Sequence, residues 1–324
     1  MENIICKKIG IEHPILQGPM AWASDSTLSA AVSNAGGLGI MGIGFAPPEV
    51  FQEEIKKIKT LTDKPFGCNL ITAVPYSERL LEIILEEKVP VVELEGPSTL
   101  PDVLAAFAAK LKAGNCIVIG KASCVEEAIL FEQIGADFVS VKGYDGGGHI
   151  YGFTGTFSLI PQVVDAVHIP VINSSGIADA RGIAASFLLG AEGVEIGSRF
   201  LLADECGVHD NYKNAILQAK EGETVLTGVT VNDAVRGLSN QLSKKVLEIE
   251  KQYEKEAAMK AIQELCSGSL RKSATIGEVE EEGTVVVGQN VGLLNQKQTT
   301  KEIMEELIEN YTKLLSLAPH YLQA

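Results

Sequence analysis

Eight short apolar, β-branched runs, alternating with helix-like segments, predict an α/β chain closed into a (β/α)8 TIM barrel with an inserted helical subdomain after strand 8. The runs begin at positions 13, 38, 65, 89, 115, 138, 169 and 193, so their starts are separated by 23 to 31 residues. That spacing holds one strand, one helix and two loops, which makes successive strands parallel and joins them by right-handed crossovers. Glycines gather at the carboxyl ends of several runs instead of forming one fingerprint after the first, which favours a closed barrel over an open doubly wound sheet.

The first strand, His13 to Gln17, ends at Gly18, and Asp25 to Ala35 reads as a helix stopped by Gly36-Gly37. Leu38 to Gly42 is the second strand, and Pro48 to Thr60 is a helix opened by a proline in its first turn. Pro65 to Leu70 and Val89 to Leu94 follow as strands; Pro101 to Ala113 is a helix ending at Gly114. Asn115 to Ile119 precedes a helix from Ser123 to Ile134, and Phe138 to Val141 is the sixth strand. Ile169 to Asn173 and Gly193 to Ile196 complete the set, with Asp179 to Leu189 helical between them. From about Ala203 to Ser273 the period breaks into charged, helical sequence: His209 to Lys220, Asn232 to Leu238, and a Glu/Lys-rich stretch from Ser243 to Leu265. The barrel is therefore expected over 1–202 and 274–324, with 203–273 as an inserted helical lid or substrate subdomain. Gly283 to Leu294 returns apolar and Gly-rich, and Thr299 to Leu315 reads as the last barrel helix.

At 324 residues, with 46% hydrophobic and 21% charged residues, the chain has the composition of a globular protein with a sizeable core. Its net charge of −15 opposes binding to nucleic acid or to an anionic membrane surface. The amino terminus lacks an apolar leader, and no run approaches the length of a membrane span. Six cysteines without C-x-x-C pairs or metal-ligand spacing point to reduced thiols and no metal, and a cytoplasmic location is expected.

The chemistry concentrates at the carboxyl ends of the strands. Residues 143 to 152 read Gly-Tyr-Asp-Gly-Gly-Gly-His-Ile-Tyr-Gly, which sets His149 in a backbone able to approach a ligand closely. Ser174-Ser175-Gly176 after the seventh strand and Glu195-Ile196-Gly197-Ser198 after the eighth stand where barrels form a phosphate site from backbone N–H groups. Gln17-Gly18-Pro19-Met20 and Asn69 are candidates for the flat wall and amide partner of a planar heterocycle. Glu93 and Glu95 end the fourth strand, while Lys121 and Lys142 follow the fifth and sixth. Facing a partly buried cofactor, either carboxylate is expected to pair with either ammonium across the barrel mouth.

Several stretches carry a family resemblance: His13 to Trp22, Asn34 to Gly39, Lys64 to Asn69, Gly146 to His149 and Gly197 to Phe200. They resemble the FMN-dependent nitronate monooxygenase and 2-nitropropane dioxygenase superfamily. Asn211-Tyr212-Lys213, Ala234-Val235-Arg236 and Asn240-Gln241-Leu242 are more particular to the flavin-containing enoyl-acyl-carrier-protein reductases of the FabK type. The resemblance implies FMN across the carboxyl end of the barrel, contacted at Gly18, Met20, Asn69, Gly147, Gly176, Gly197 and Ser198, with Pro19, Lys142, Gly148, Ser175 and Glu195 beside it. His149 is then the catalytic residue, close to the flavin's reactive face.

The implied reaction is reduction of an enoyl thioester by NADH or NADPH in fatty-acid synthesis, with the substrate on acyl carrier protein and a homodimer as a further expectation. Nitronate oxidation, an NADH:quinone-type oxidoreduction, and a flavoprotein without turnover are the other classes. Lys244, Lys245, Lys251, Lys255, Lys260, Arg271 and Lys272 are the candidates for a basic docking patch. The chain departs from the family pattern in Gly-Gly-Gly-His for Ala-Gly-Gly-His and in Asn-Ser-Ser-Gly for Ala-Ala-Gly-Gly. It also departs in Glu93 and Glu95, where the reductases tend to carry small residues or Thr, and in Lys142, where relatives have Glu or Gln.

Overall fold

The computed structural model describes residues 3–317. Six strands come first: β1 (Ile15–Gln17), β2 (Leu38–Met41), β3 (Gly67–Ile71), β4 (Val91–Glu95), β5 (Ile117–Ala122) and β6 (Phe138–Val141). A two-residue strand β7 (Gly148–His149) lies outside the barrel, and β8 (Val171–Asn173) and β9 (Gly193–Ile196) complete it. The barrel order is β1-β2-β3-β4-β5-β6-β8-β9, all parallel, closed where Gln17 pairs with Ile196.

The interior is layered, and the strand period of two sets the layers. Leu16, Leu38, Ile40, Val91, Ile119, Phe138 and Ile172 fill the lower barrel and pack on Ile5, Cys6 and Ile9 of the helix Ile4–Ile9, which plugs the amino end. Asn3 caps that helix through the N–H groups of Ile5 and Cys6, at 3.0 and 3.1 Å, and Gly10 ends it at φ 84°. Two residues further along the same strands the interior turns polar: Glu93 follows Val91, Lys121 follows Ile119, and Ser140 follows Phe138. An apolar plug thus carries a charged floor, and the carboxyl-end loops rise above it.

Residues 203–273 differ from the all-helical expectation. They contain β10 (Thr224–Thr227) and β11 (Val235–Leu238), which form an antiparallel sheet of order β10-β11-β7. Asn232 to Leu238, expected to be helical, supplies β11, because the β-branched run 224–227 folds back as a hairpin partner and β7 completes the other edge. The long charged stretch is two helices, Gln241–Gln252 and Lys255–Cys266, broken at Tyr253 and Glu254, whose backbones are extended. The final helix, Thr300–Leu317, packs against the helices Ala180–Leu188 and Ser26–Asn34. No helix among the described residues is long and apolar enough to cross a membrane, and none of the six cysteines is in a disulfide.

Candidate active site at the carboxyl end of the barrel

A cavity of about 510 Å³ opens at the carboxyl ends of the strands. Every residue the resemblance places at the cofactor lines it, and so does His149: Gly18, Pro19, Met20 and Asn69 on one side, Ser175, Gly176, Glu195, Gly197 and Ser198 on another, and Lys142, Gly147 and Gly148 from the Gly-rich loop; Gln17 is buried and does not line it. Val286, Val287, Gly288 and Asn290 close over it from the later Gly-rich segment.

The loops after β8 and β9 form an anion cradle. Among the described residues, no hydrogen bond uses the N–H of Gly176, Gly197 or Ser198. Gly176 holds φ +74°, and a Cβ there would stand 3.1 Å from Asp145 Oδ2. Asp145 does not close the cradle, because Thr156 occupies its carboxylate through its N–H and hydroxyl. Ser198 Oγ accepts from Gly288 N–H at 3.1 Å and keeps its own proton to donate. Three orphan amides and a hydroxyl suit one phosphate.

Asn69 is the amide of the opposite wall. It is 6% exposed, its Oδ1 accepts from Gly44 N–H at 2.6 Å, and its Nδ2 has no protein acceptor among the described residues. Gln17 shapes the neighbouring loop by donating to the carbonyls of Gly18 and Ile40 while accepting from Ser29. A Cβ on Gly18 would stand 2.6 Å from Glu195 Oε1, so the glycine leaves the floor open. An amide donor, an apolar wall at Met20 and the phosphate cradle fit an FMN.

The floor holds a buried charge cluster. Lys121 Nζ donates to Glu195 Oε1 at 2.5 Å and to Ser174 Oγ at 2.7 Å, and lies 3.4 Å from Glu93 Oε1. The expected pairing of Glu93 with Lys121 is therefore present, but Glu195 takes the shorter contact. Burial would raise the Glu195 carboxyl, yet the Lys121 ammonium and the hydrogen bonds it receives hold it well below the usual carboxylate range. Burial, then the Glu195 charge, pushes Glu93 well above that range. Lys142 joins no ion pair; its Nζ donates to Gly147 O at 2.5 Å. Burial, with Lys121 nearby, brings its ammonium down to about 8.

His149 stands at the mouth, 47% exposed, on β7 opposite Val235. Its Nε2 lies 3.3 Å from Asp233 Oδ1, and Tyr151 stacks on its ring with centroids 6.1 Å apart. The His149 imidazole beside it holds the Asp233 carboxyl below its usual range. Nδ1 has no protein partner among the described residues, which leaves it to act on a ligand.

A family model described as nitronate monooxygenase matches residues 2–78 and 71–310. The chain belongs to the nitronate monooxygenase family. Members of this family are FMN-dependent flavoproteins, and the chain is a flavin-type oxidoreductase by that membership. Two curated relatives, each named "Probable nitronate monooxygenase", come from Staphylococcus haemolyticus (strain JCSC1435) and Bacillus subtilis (strain 168). The first is 31% identical over 97% of this chain and 98% of its own length, the second 30% over 96% and 100%. Among solved structures, FabK from Thermotoga maritima superposes with a TM-score of 0.93 at 37% identity, covering 99% of both chains. The nitroalkane oxidase from Streptomyces ansochromogenes gives 0.83 at 25%, covering 96% of this chain and 99% of that one.

Within this nitronate monooxygenase family chain, sequence reasoning missed Asp233, Ser140 and Tyr151. Asp233 lies 84 positions from His149 in sequence and meets it only through the β7–β11 pairing. Recognising residues 224–238 as a hairpin would have brought it into view. Ser140 reads as one residue of an apolar strand, and the period of two from Phe138 was the available signal.

Proposed function

We propose that this protein is an FMN-dependent reductase that uses NADH or NADPH to saturate the trans-2 double bond of an enoyl thioester carried on acyl carrier protein. The observation that carries this reading is the end-to-end likeness to FabK, which extends through residues 203–294, the part that closes over the cavity. FMN held there would supply hydride transfer between the nicotinamide and the β-carbon of the substrate. The N–H groups of Gly176, Gly197 and Ser198 would hold its phosphate, and Met20 and Asn69 its ring. His149, through Nδ1, stabilises the enolate oxygen or delivers the α-carbon proton, while Asp233 keeps the imidazole oriented. Val235 of β11 and residues 286–290 line the cavity and would help exclude water from the reacting centre.

The names of the curated relatives favour a second reading, oxidation of nitronates by oxygen, in which His149 binds the anion. Anaerobic mixing of the purified yellow protein with NADH, then with a crotonyl thioester, separates the two. Bleaching of the flavin by NADH and its recovery on adding thioester are expected. Rapid oxygen-dependent nitronate consumption with no NADH-dependent loss of the enoyl bond would replace the first reading by the second.

A further inference from the structure

Beneath the cavity one ammonium faces two carboxyl groups, and the hydrogen bonds divide them unequally. Glu195 takes three donors: its Oε1 accepts from Lys121 at 2.5 Å and Ser174 at 2.8 Å, and its Oε2 from Ser140 at 2.5 Å. Glu93 is 0% exposed, lines the cavity, and receives no hydrogen bond at either oxygen. Its contact with Lys121, at 3.4 Å, lies outside hydrogen-bond geometry. The groups facing it are Asn69 on the paired strand β3, Lys121 on β5, Glu195 on β9, Glu95 on its own strand, and Lys142 at the end of β6. A buried carboxylate without donors, beside a second that already holds the ammonium, is the arrangement in which one proton stays on the pair.

We propose that Glu93 is a neutral carboxylic acid sharing one proton with Glu195, and that its hydroxyl donates a hydrogen bond to a carbonyl oxygen or ring nitrogen of the planar heterocycle bound above it. Glu195, filled by three donors, has little need of that proton, so an acceptor entering the cavity draws the hydroxyl towards itself. Burial and the Glu195 charge, which push the Glu93 carboxyl upward, act in the same direction. The position is the chain's own feature: Glu93 stands where the resemblance places Thr or a small residue. The donor half of the inference rests on the flavin reading above, and the protonation half does not.

Infrared difference spectroscopy tests both halves, on the purified holoprotein and on the same protein stripped of FMN. The expected result is a protonated-carboxyl C=O band near pH 7 in both forms, lost in Glu93→Gln and shifted when FMN is added back. Glu195→Gln should also abolish it, because Lys121 is then free to hold Glu93 ionised; this variant decides the matter if Glu93→Gln fails to fold. No such band at neutral pH, or one that survives Glu93→Gln, overturns the proton assignment. A band that FMN leaves unmoved overturns the donor role. A protein that takes up no FMN by visible absorbance fails the cofactor reading, and with it the donor role, while the band alone still decides the protonation.

Discussion

His149 Nε2 and Asp233 Oδ1 lie 3.3 Å apart at the mouth of the cavity, and the ladder that pairs His149 with Val235 brings them together. The imidazole of His149 beside it keeps Asp233 ionised below the usual carboxylate range. The contact therefore holds as pH falls to that lowered value and is lost beneath it. His149→Ala should retain flavin and fold yet lose turnover by about 10²- to 10³-fold, the usual scale for a general acid. Asp233→Asn should cost about tenfold, since orientation is loosened and not removed. Steady-state kinetics with flavin absorbance as a loading control measure both, and unchanged rates in both variants would make the histidine a bystander.

Gly176 is where the phosphate cradle is most exposed to substitution. Its φ of +74° and the 3.1 Å approach of Asp145 Oδ2 to a would-be Cβ mean that Gly176→Val strains the loop and crowds the orphan amides. A left-handed backbone costs a side-chain-bearing residue about 1–2 kcal/mol, so FMN affinity should fall by at least about tenfold. Quenching of FMN fluorescence on titration with apoprotein reads the change directly.

Lys121→Met removes the ammonium and leaves the carboxyls of Glu93 and Glu195 facing each other in the floor. Breaking a buried pair on one side costs about 3–5 kcal/mol. Thermal melts at neutral pH should show that loss, and the double variant Lys121→Met/Glu195→Gln should recover much of it. A single variant as stable as the parent would mean that the ammonium does not compensate the Glu195 charge.

At the other end of the barrel, Asp137 ties three elements together through Lys112 at 2.5 Å, Lys8 at 2.5 Å and Val118 N–H at 2.8 Å. Burial would raise its carboxyl, but the two lysines and the amide outweigh it and hold it below the usual range. The stability it adds is present above the unfolded carboxyl value, about 3.9, and disappears as pH falls through the lowered folded value. Asp137→Asn should therefore lose about 2 kcal/mol at pH 7 and little in strong acid, which paired urea melts at the two pH values would show.

If the proposed carrier protein docks through a local basic patch, a salt effect follows. Such a partner is acidic, as this chain is, and Lys245, Lys251 and Lys272 of the expected patch already pair with Glu281, Glu248 and Glu282. What remains for docking among the candidates is Lys244, Lys255, Lys260 and Arg271. Raising ionic strength should lower kcat/KM for the carrier-bound substrate more than for a small thioester. An equal response of the two substrates would remove electrostatic docking from the account.

The barrel was legible because its signals are local: most strands are short apolar runs, and several helices stop at or beside a glycine such as Gly114, Gly135 or Gly190. The loops after β8 and β9, with their orphan amides at Gly176, Gly197 and Ser198, stood out for the same reason. Asn232 to Leu238 was misread because its state depends on β7, whose paired residues lie 86 and 88 positions away, and no local propensity contains that partner. The Glu93–Lys121–Glu195 cluster was half legible. Opposite charges at strand ends announce a pair, but the sequence does not say that Glu195 outcompetes Glu93 for the ammonium, because Ser140 and Ser174 decide it.

The pairing of Gly148 and His149 with β11 has a mechanical consequence. Val235, which lines the cavity, and the imidazole belong to one ribbon, so a hairpin that swung outward would carry the imidazole with it. If His149 has the proposed acid–base role, substitutions in the turn between β10 and β11 should change kcat and KM together.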